Sequence, residues 1–336
     1  MVAPMVLLAT RLGSWVALAA ALAAPAAVGC DDGGPSPAAA DAAAARVDGP
    51  GPGPDAAAPA CSGRPSRAGD LAWTVASGGR DRTAYVHLPP GYDPTRPSPV
   101  VLLFHGLTMN ARWQADVSDV DAVADLHGFV AVYAEGTSVP QGWNAGDCCA
   151  PASTSGVDDV AFVATLLDRL EAELCVDADR VFATGFSNGG FLSHRLGCEL
   201  SDRIAAIGPV SGVLGVADCA PSRPMPVMHV HGTSDLIVPY AGGGVTGFRG
   251  AQASVDAWAS RNQCPPGAPA QVLAIGDSRC EQRVGCAGGA DVVLCTVAGG
   301  GHQWPGGDGI PGGGHTSTDL HATLELWRFF AAHPRP

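Results

Sequence analysis

From residue 71 onward, short unbroken apolar runs alternate with longer stretches in which apolar positions recur every three or four residues. "LAWTVASGGRDRTAYVHL" alternates apolar and polar residues on either side of Gly78 and Gly79, the pattern of an opening β-hairpin. The runs "PVVLLFHG", "GFVAVYAEG", "RVFATGFS", "AAIGPVSG", "PVMHVHGTSD" and "VVLCTVAGGGH" are instead apolar throughout and stop at glycine. Strands of that kind are covered on both faces, as in a parallel sheet. Helical stretches separate them. The clearest starts at Asp158 as N-cap, carries Val160, Val163, Leu167, Leu170 and Leu174 on one stripe, and places Asp168, Glu171 and Glu173 off it. "TSTDLHATLELWRFFAAH" predicts a closing helix, and no internal repeat is visible. The alternation predicts one α/β domain over residues 61–336, with a mostly parallel central sheet flanked by helices.

The chain upstream obeys different rules. "MVAPMVLLATRLGSWVALAAALAAPAAVGC" places one early charge, Arg11, before an apolar run and a set of small residues, which predicts a signal peptide over 1–30. The run from Leu12 to Val28 is short, alanine-rich and not followed by basic residues, which argues against the alternative of a transmembrane helix. "AVGC" resembles a bacterial lipobox, which makes Cys30 the expected lipidation site; ordinary cleavage near Ala24–Ala26 is the alternative. Residues 31–60 are Ala, Gly, Pro and Asp with almost nothing to bury, so they are expected to form a disordered tether. These features predict an extracellular or cell-surface protein that meets a membrane only through its N-terminal lipid.

Composition narrows the chemistry. A formal net charge of -13 argues against nucleic acid as a partner, and every basic residue is arginine. Without lysine there is no Schiff base, no phosphate-loop lysine and no Ser-Lys dyad. Eleven cysteines leave ten once Cys30 is set aside, an even number that suits an oxidised chain. Local spacing pairs Cys280 with Cys295 across two strand-like runs, Cys264 with Cys286, and Cys198 with Cys219. No C-x-x-C pair points to a metal, and His229 and His231 on one strand face read as structural. No cofactor is expected.

One stretch carries reactive potential. In "TGFSNGGFLSH", Ser187 falls where an apolar strand meets a helix, flanked by Gly185 and Gly189. A serine there stands on a tight turn above the carboxyl edge of the sheet. Its hydroxyl needs an imidazole to take its proton, and the imidazole needs a carboxylate to orient it. Asp235 follows one buried strand and His302 follows the last, in the order Ser, Asp, His. The N–H groups of Asn188 and of Leu107, after "VVLLFHG", are the expected oxyanion donors, while His105 reads as a structural residue at a strand end.

"RVFATGFSNGG", "HGTSDLIVPY", "GGGHQWPGG" and the "CC…VDDVAF" stretch from Cys148 to Phe162 resemble the polyhydroxybutyrate depolymerase-like esterases, a group that overlaps the feruloyl and acetyl xylan esterases of carbohydrate esterase family one. The resemblance covers roughly Cys61 to the C-terminus. It implies an α/β-hydrolase fold, a Ser187–Asp235–His302 triad, disulfides, and Trp304 and Trp143 lining the cleft. About 14 residues separate the strand after the nucleophile helix from the strand bearing the acid, too few for a cap domain. The expected activity is that of a serine carboxylesterase on feruloyl or acetyl esters of plant polysaccharides, with polyhydroxybutyrate as the alternative substrate. A non-catalytic surface lipoprotein would not need all three triad residues, and a serine peptidase would usually carry a further domain that restricts access.

Overall fold

A computed structural model describes residues 61, 64–67, 69–244 and 247–336. The signal peptide, the Cys30 site and the tether expected over 1–60 lie outside the described residues.

The hairpin is present: β1 (Leu71–Ser77) pairs antiparallel with β2 (Arg80–His87), and Gly78 and Gly79 turn the chain at positive φ. The six apolar runs become β3 (Ser98–Phe104), β4 (Val130–Ala134), β5 (Val176–Phe186), β6 (Ala206–Val210), β7 (Val227–Gly232) and, last in the chain, β10 (Val292–Val297). They pair in parallel in the order β4-β3-β5-β6-β7-β10. The hairpin adds antiparallel strands at one edge. A second hairpin, β8 (Ala270–Ile275) and β9 (Ser278–Arg283), completes a ten-stranded sheet at the other.

The parallel strands are buried on both sides, so each deals its residues alternately to two cores. Val100, Leu102 and Phe104 of β3 join the core under α3 (Asp159–Glu173), α4 (Asn188–Glu199) and α5 (Ala251–Arg261). Val101 and Leu103 join the opposite core, beneath α1 (Ala111–Ser118), α2 (Val120–His127) and α6 (Ala322–Ala332). Each such side chain contributes roughly 1.5–3 kcal/mol on burial. Helix α3 starts as expected, with the Asp158 carboxylate accepting from the Ala161 N–H at 2.9 Å. Its buried face, however, centres on Phe162, Val163, Leu166, Leu167 and Leu170, and Val160 is only half-buried. Asp159 is buried too, because Arg82 meets it at 2.7 Å.

Five disulfides tie the described residues together. Cys198–Cys219, Cys264–Cys286 and Cys280–Cys295 form as the sequence predicts, the last between directly opposed residues of β9 and β10. Cys61–Cys175 and Cys148–Cys149 complete the set. Residues 211–226, between β6 and β7, contain neither helix nor strand, so no cap domain stands there. Among the described residues, no helix is long and apolar enough to cross a membrane.

Candidate active site

The parallel strands β3, β5, β6, β7 and β10 point their C-terminal ends to one sheet edge, and the chain segments that follow them converge there. After β5 the chain reverses at Ser187, whose φ of 54° and ψ of -119° lie outside ordinary helix or strand geometry. The turn is pinned from both sides: the Ser187 N–H donates to the Val210 carbonyl at 2.9 Å, and its carbonyl accepts from Phe191 at 3.0 Å. Only glycine fits beside it. A Cβ on Gly189 would stand 1.9 Å from the Phe104 carbonyl oxygen, so its absence lets α4 approach β3 closely.

Asp235 lies in the loop after β7 and His302 in the loop after β10. Both are nearly fully buried. His302 Nδ1 and Asp235 Oδ2 are 2.7 Å apart. Asp235 Oδ1 accepts from the N–H groups of Ile237 and Val238 at 2.9 and 2.8 Å, and His231 Nε2 lies 3.3 Å from Oδ2. Burial alone would raise the Asp235 pKa, but hydrogen bonds from His231 and then His302 outweigh it and hold the carboxyl below the usual range. An ionised carboxylate only accepts, so the His302 proton belongs on Nδ1 and Nε2 is left with a free lone pair. The His302 ring centroid is 4.8 Å from that of Phe186, the residue before Ser187. Among the described residues, Ser187 Oγ makes no hydrogen bond to that ring; such contacts are commonly loose until substrate arrives.

The segment after β3 comes up against the same serine. A Cβ on Gly106 would lie 3.4 Å from Ser187 Cβ. The backbone N–H of Leu107 and that of Asn188, the first residue of α4, have no backbone acceptor among the described residues. The Asn188 side chain instead secures the neighbouring loop, its Oδ1 accepting from Trp143 N–H at 2.7 Å and its Nδ2 donating to Trp143 O at 3.1 Å. His105 has a structural position: Nδ1 donates to Gly106 O at 2.8 Å and Nε2 accepts from the Gly136 N–H at 2.9 Å. Burial pushes its pKa down to about 4, so its Nε2 stands 3.7 Å from the Glu135 carboxylate without forming an ion pair.

Two expectations need correction. Trp143 is 0 % exposed and Trp304 1 % exposed, so neither ring faces a cleft. The Trp143 indole N–H donates to His105 O at 2.9 Å, and its ring packs edge-on against Phe104 at 5.4 Å. It braces the segment that leads to Leu107. The Trp304 indole N–H donates to Thr323 Oγ1 at 3.0 Å, inside the core beneath α6. Both rings are packing residues because each indole N–H finds its partner inside the protein. The apolar side chains left open beside Asp235 are Leu236 and Ile237, 92 % and 54 % exposed. The sequence reading did not single out Gln303, whose amide takes the Ile310 N–H at 2.7 Å and donates to the carbonyls of Ile310 and Gly314, which sets the glycine-rich loop around His302. Among the described residues, no group of three or more His, Cys, Asp or Glu is placed to hold a metal ion.

The sheet order and this loop arrangement are those of an α/β-hydrolase. Among solved structures, the acetyl xylan esterase from Aspergillus awamori superposes with a TM-score of 0.55 at 13% identity, over 78% of this chain and 99% of that one. Feruloyl esterase B of Piromyces equi is 34% identical over 236 residues, which is 66% of this chain; the match spans 42% of that protein's length. Feruloyl esterase D of Neurospora crassa is 30% identical over 285 residues, 82% of this chain and 91% of that protein. Residues 83–255 match the family described as esterase PHB depolymerase. The chain belongs to this family of esterases.

Proposed function

We propose that the protein is a serine carboxylesterase working through an acyl-enzyme on Ser187, with His302 as base and Asp235 as its orienting carboxylate. The observation that carries this reading is the 2.7 Å His302–Asp235 hydrogen bond beside a serine held at φ 54° between strand and helix. In the first half-reaction, Ser187 Oγ bonds to the ester carbonyl carbon as its proton passes to His302 Nε2. The carbonyl oxygen becomes an oxyanion facing the N–H groups of Leu107 and Asn188, the latter at the positive end of α4. Collapse breaks the ester C–O bond, and His302 returns the proton to the departing alcohol. Water then repeats the sequence on the acyl-serine and releases the acid.

The substrate class we infer is an ester of a plant polysaccharide or its fragments, feruloyl or acetyl. Support comes from the two feruloyl esterases above and from the lack of a lid between β6 and β7. With both tryptophans buried, the acyl group would rest on Leu236 and Ile237. The family description favours a second reading, a polyester such as polyhydroxybutyrate. Five disulfides support a place outside the cytoplasm. Export through the 1–30 segment and anchoring at Cys30 complete that reading, and Cys30→Ser should release the protein into the soluble fraction. The purified protein is to be offered methyl ferulate, acetylated xylan and polyhydroxybutyrate granules. Release of ferulate or acetate is expected to dominate. Clearing of granules without action on the saccharide esters would transfer the assignment to polyester hydrolysis, and inertness toward all three and toward p-nitrophenyl acetate would end it.

A further inference from the structure

Behind the candidate acid lies a row of three buried histidines that the ester chemistry does not itself require. His194 is on α4, His229 and His231 are on β7, and all three are at most 1 % exposed. The row begins at the Trp258 indole on α5, whose Nε1 is 2.9 Å from His194 Nδ1. His194 Nε2 then lies 3.2 Å from His229 Nδ1, and His229 Nε2 lies 3.0 Å from His231 Nδ1. His231 Nε2 ends the row, 2.8 Å from the Val238 carbonyl oxygen and 3.3 Å from Asp235 Oδ2.

The chemistry of the two ends fixes the direction of every bond between them. An indole nitrogen can only donate, so His194 Nδ1 must accept. A neutral imidazole carries one proton, which therefore sits on His194 Nε2 and is offered to His229. The same step repeats at His229 and places the His231 proton on Nε2, facing two acceptors. We propose that the Trp258–His194–His229–His231 row is a tautomer-setting chain, and that His231 is a positioning residue that keeps an N–H directed at the Asp235 oxygen that also binds His302. This inference rests on the triad reading. Reversed, the row would place a bare His231 lone pair against a carboxylate and a carbonyl, and the Trp258 N–H against another N–H. Burial pushes the pKa of His194 down to about 3 and that of His229 well below its usual value, so both remain uncharged links.

The chain has a mechanical consequence. Asp235 Oδ1 is held by two backbone N–H groups, whereas Oδ2 is held by two imidazoles, one on each side. Removing His231 leaves His302 as the only side-chain donor to Oδ2, so the carboxylate can rotate and His302 loses its fixed direction.

The test pairs nitrogen-15 NMR of the wild-type histidines with kinetics of His231→Leu and His231→Gln. The spectra, recorded at pH 8, are expected to show His194, His229 and His231 as Nε2–H tautomers. A proton on Nδ1 of any of the three overturns the chain, whether or not the variants fold. His231→Leu should lower kcat by about 10- to 100-fold, the loss of one charge-assisted hydrogen bond, with KM nearly unchanged. His231→Gln, whose amide offers both N–H donors and a carbonyl acceptor, should recover most of that loss. Equal kcat in wild type and the folded Leu variant, or equal loss in the Leu and Gln variants, would refute the positioning role. Ser187→Ala separates the two claims: if it is inactive while His231→Leu is unimpaired, the triad stands and the chain falls, whereas an active Ser187→Ala removes the triad itself.

Discussion

Trp304→Phe distinguishes a core tryptophan from a substrate platform. The indole is 1 % exposed and borders a void of only about 10 Å³, with Val101, Val120, Phe129 and Leu326 among its walls. Phenylalanine keeps one ring but leaves the space of the other empty and removes the donor to Thr323 Oγ1, 3.0 Å away. Complete truncation of a buried Trp costs about 3–5 kcal/mol, and a neutral hydrogen bond contributes about 1 kcal/mol. Keeping a ring should recover roughly half of the packing loss, so a destabilisation of about 2.5–3.5 kcal/mol is expected. For a domain of this size that corresponds to a fall in Tm of about 5–10 °C. Thermal unfolding followed by circular dichroism gives this quantity, and steady-state kinetics on methyl ferulate give KM. The reasoning requires Tm to fall while KM stays within about two-fold, because the substrate never meets the ring. A Tm equal to wild type together with a ten-fold higher KM would refute it and return Trp304 to the cleft.

Three further outcomes follow from the same structure. His105, His194 and His229 are held uncharged by burial, the first two with pKa values pushed down to about 4 and about 3. Below the ordinary histidine pKa of about 6.5 the unfolded chain binds three protons that the native state does not, so stability falls with pH by up to about 1.4 kcal/mol per unit per ring. Between pH 6 and 5 that totals about 3–4 kcal/mol, and a urea midpoint that does not move over this interval would exclude it. Gly189→Ala places a methyl group 1.9 Å from the Phe104 carbonyl oxygen, so α4 must retreat and carry Ser187 with it. A loss of about 100-fold in kcat on p-nitrophenyl acetate is expected, and wild-type turnover would contradict the close approach. Leu236→Asp, on the 92 % exposed side chain beside Asp235, should raise KM for methyl ferulate about ten-fold with kcat little changed; an unaltered KM removes Leu236 from the acyl site.

The parallel strands were legible because Val, Leu, Ile and Phe fill "PVVLLFHG" and "RVFATGFS" without polar interruption, as strands buried on two faces must. β8 was not legible: "AQVLAI" is an exposed edge strand, so no alternation marks it. The pairing of Cys280 with Cys295 followed from two neighbouring strand-like runs, whereas Cys61–Cys175 joins residues 114 positions apart that only the folded chain brings together. The serine turn could be read from Gly185 and Gly189, since the steric demand is local. The exposure of an aromatic ring is not local. Trp304 lies two residues from His302, but its burial depends on α6 closing over it and on Thr323 receiving its N–H. In the same way, H-x-H places His229 and His231 on one strand face, and nothing in that spacing reveals that His194 on α4 completes the row.

Acylation of Ser187 is the central claim, and covalent labelling tests it directly. The protein is treated with a fluorophosphonate ester, digested, and the modified peptide identified by mass spectrometry while p-nitrophenyl acetate turnover is followed. One adduct is predicted, on the Ser187 peptide, forming in step with the loss of activity; Ser187→Ala should take no label and lose about 10³- to 10⁶-fold in kcat while staying folded. Full turnover by Ser187→Ala, or complete inactivation with the label on a different residue, would contradict the account.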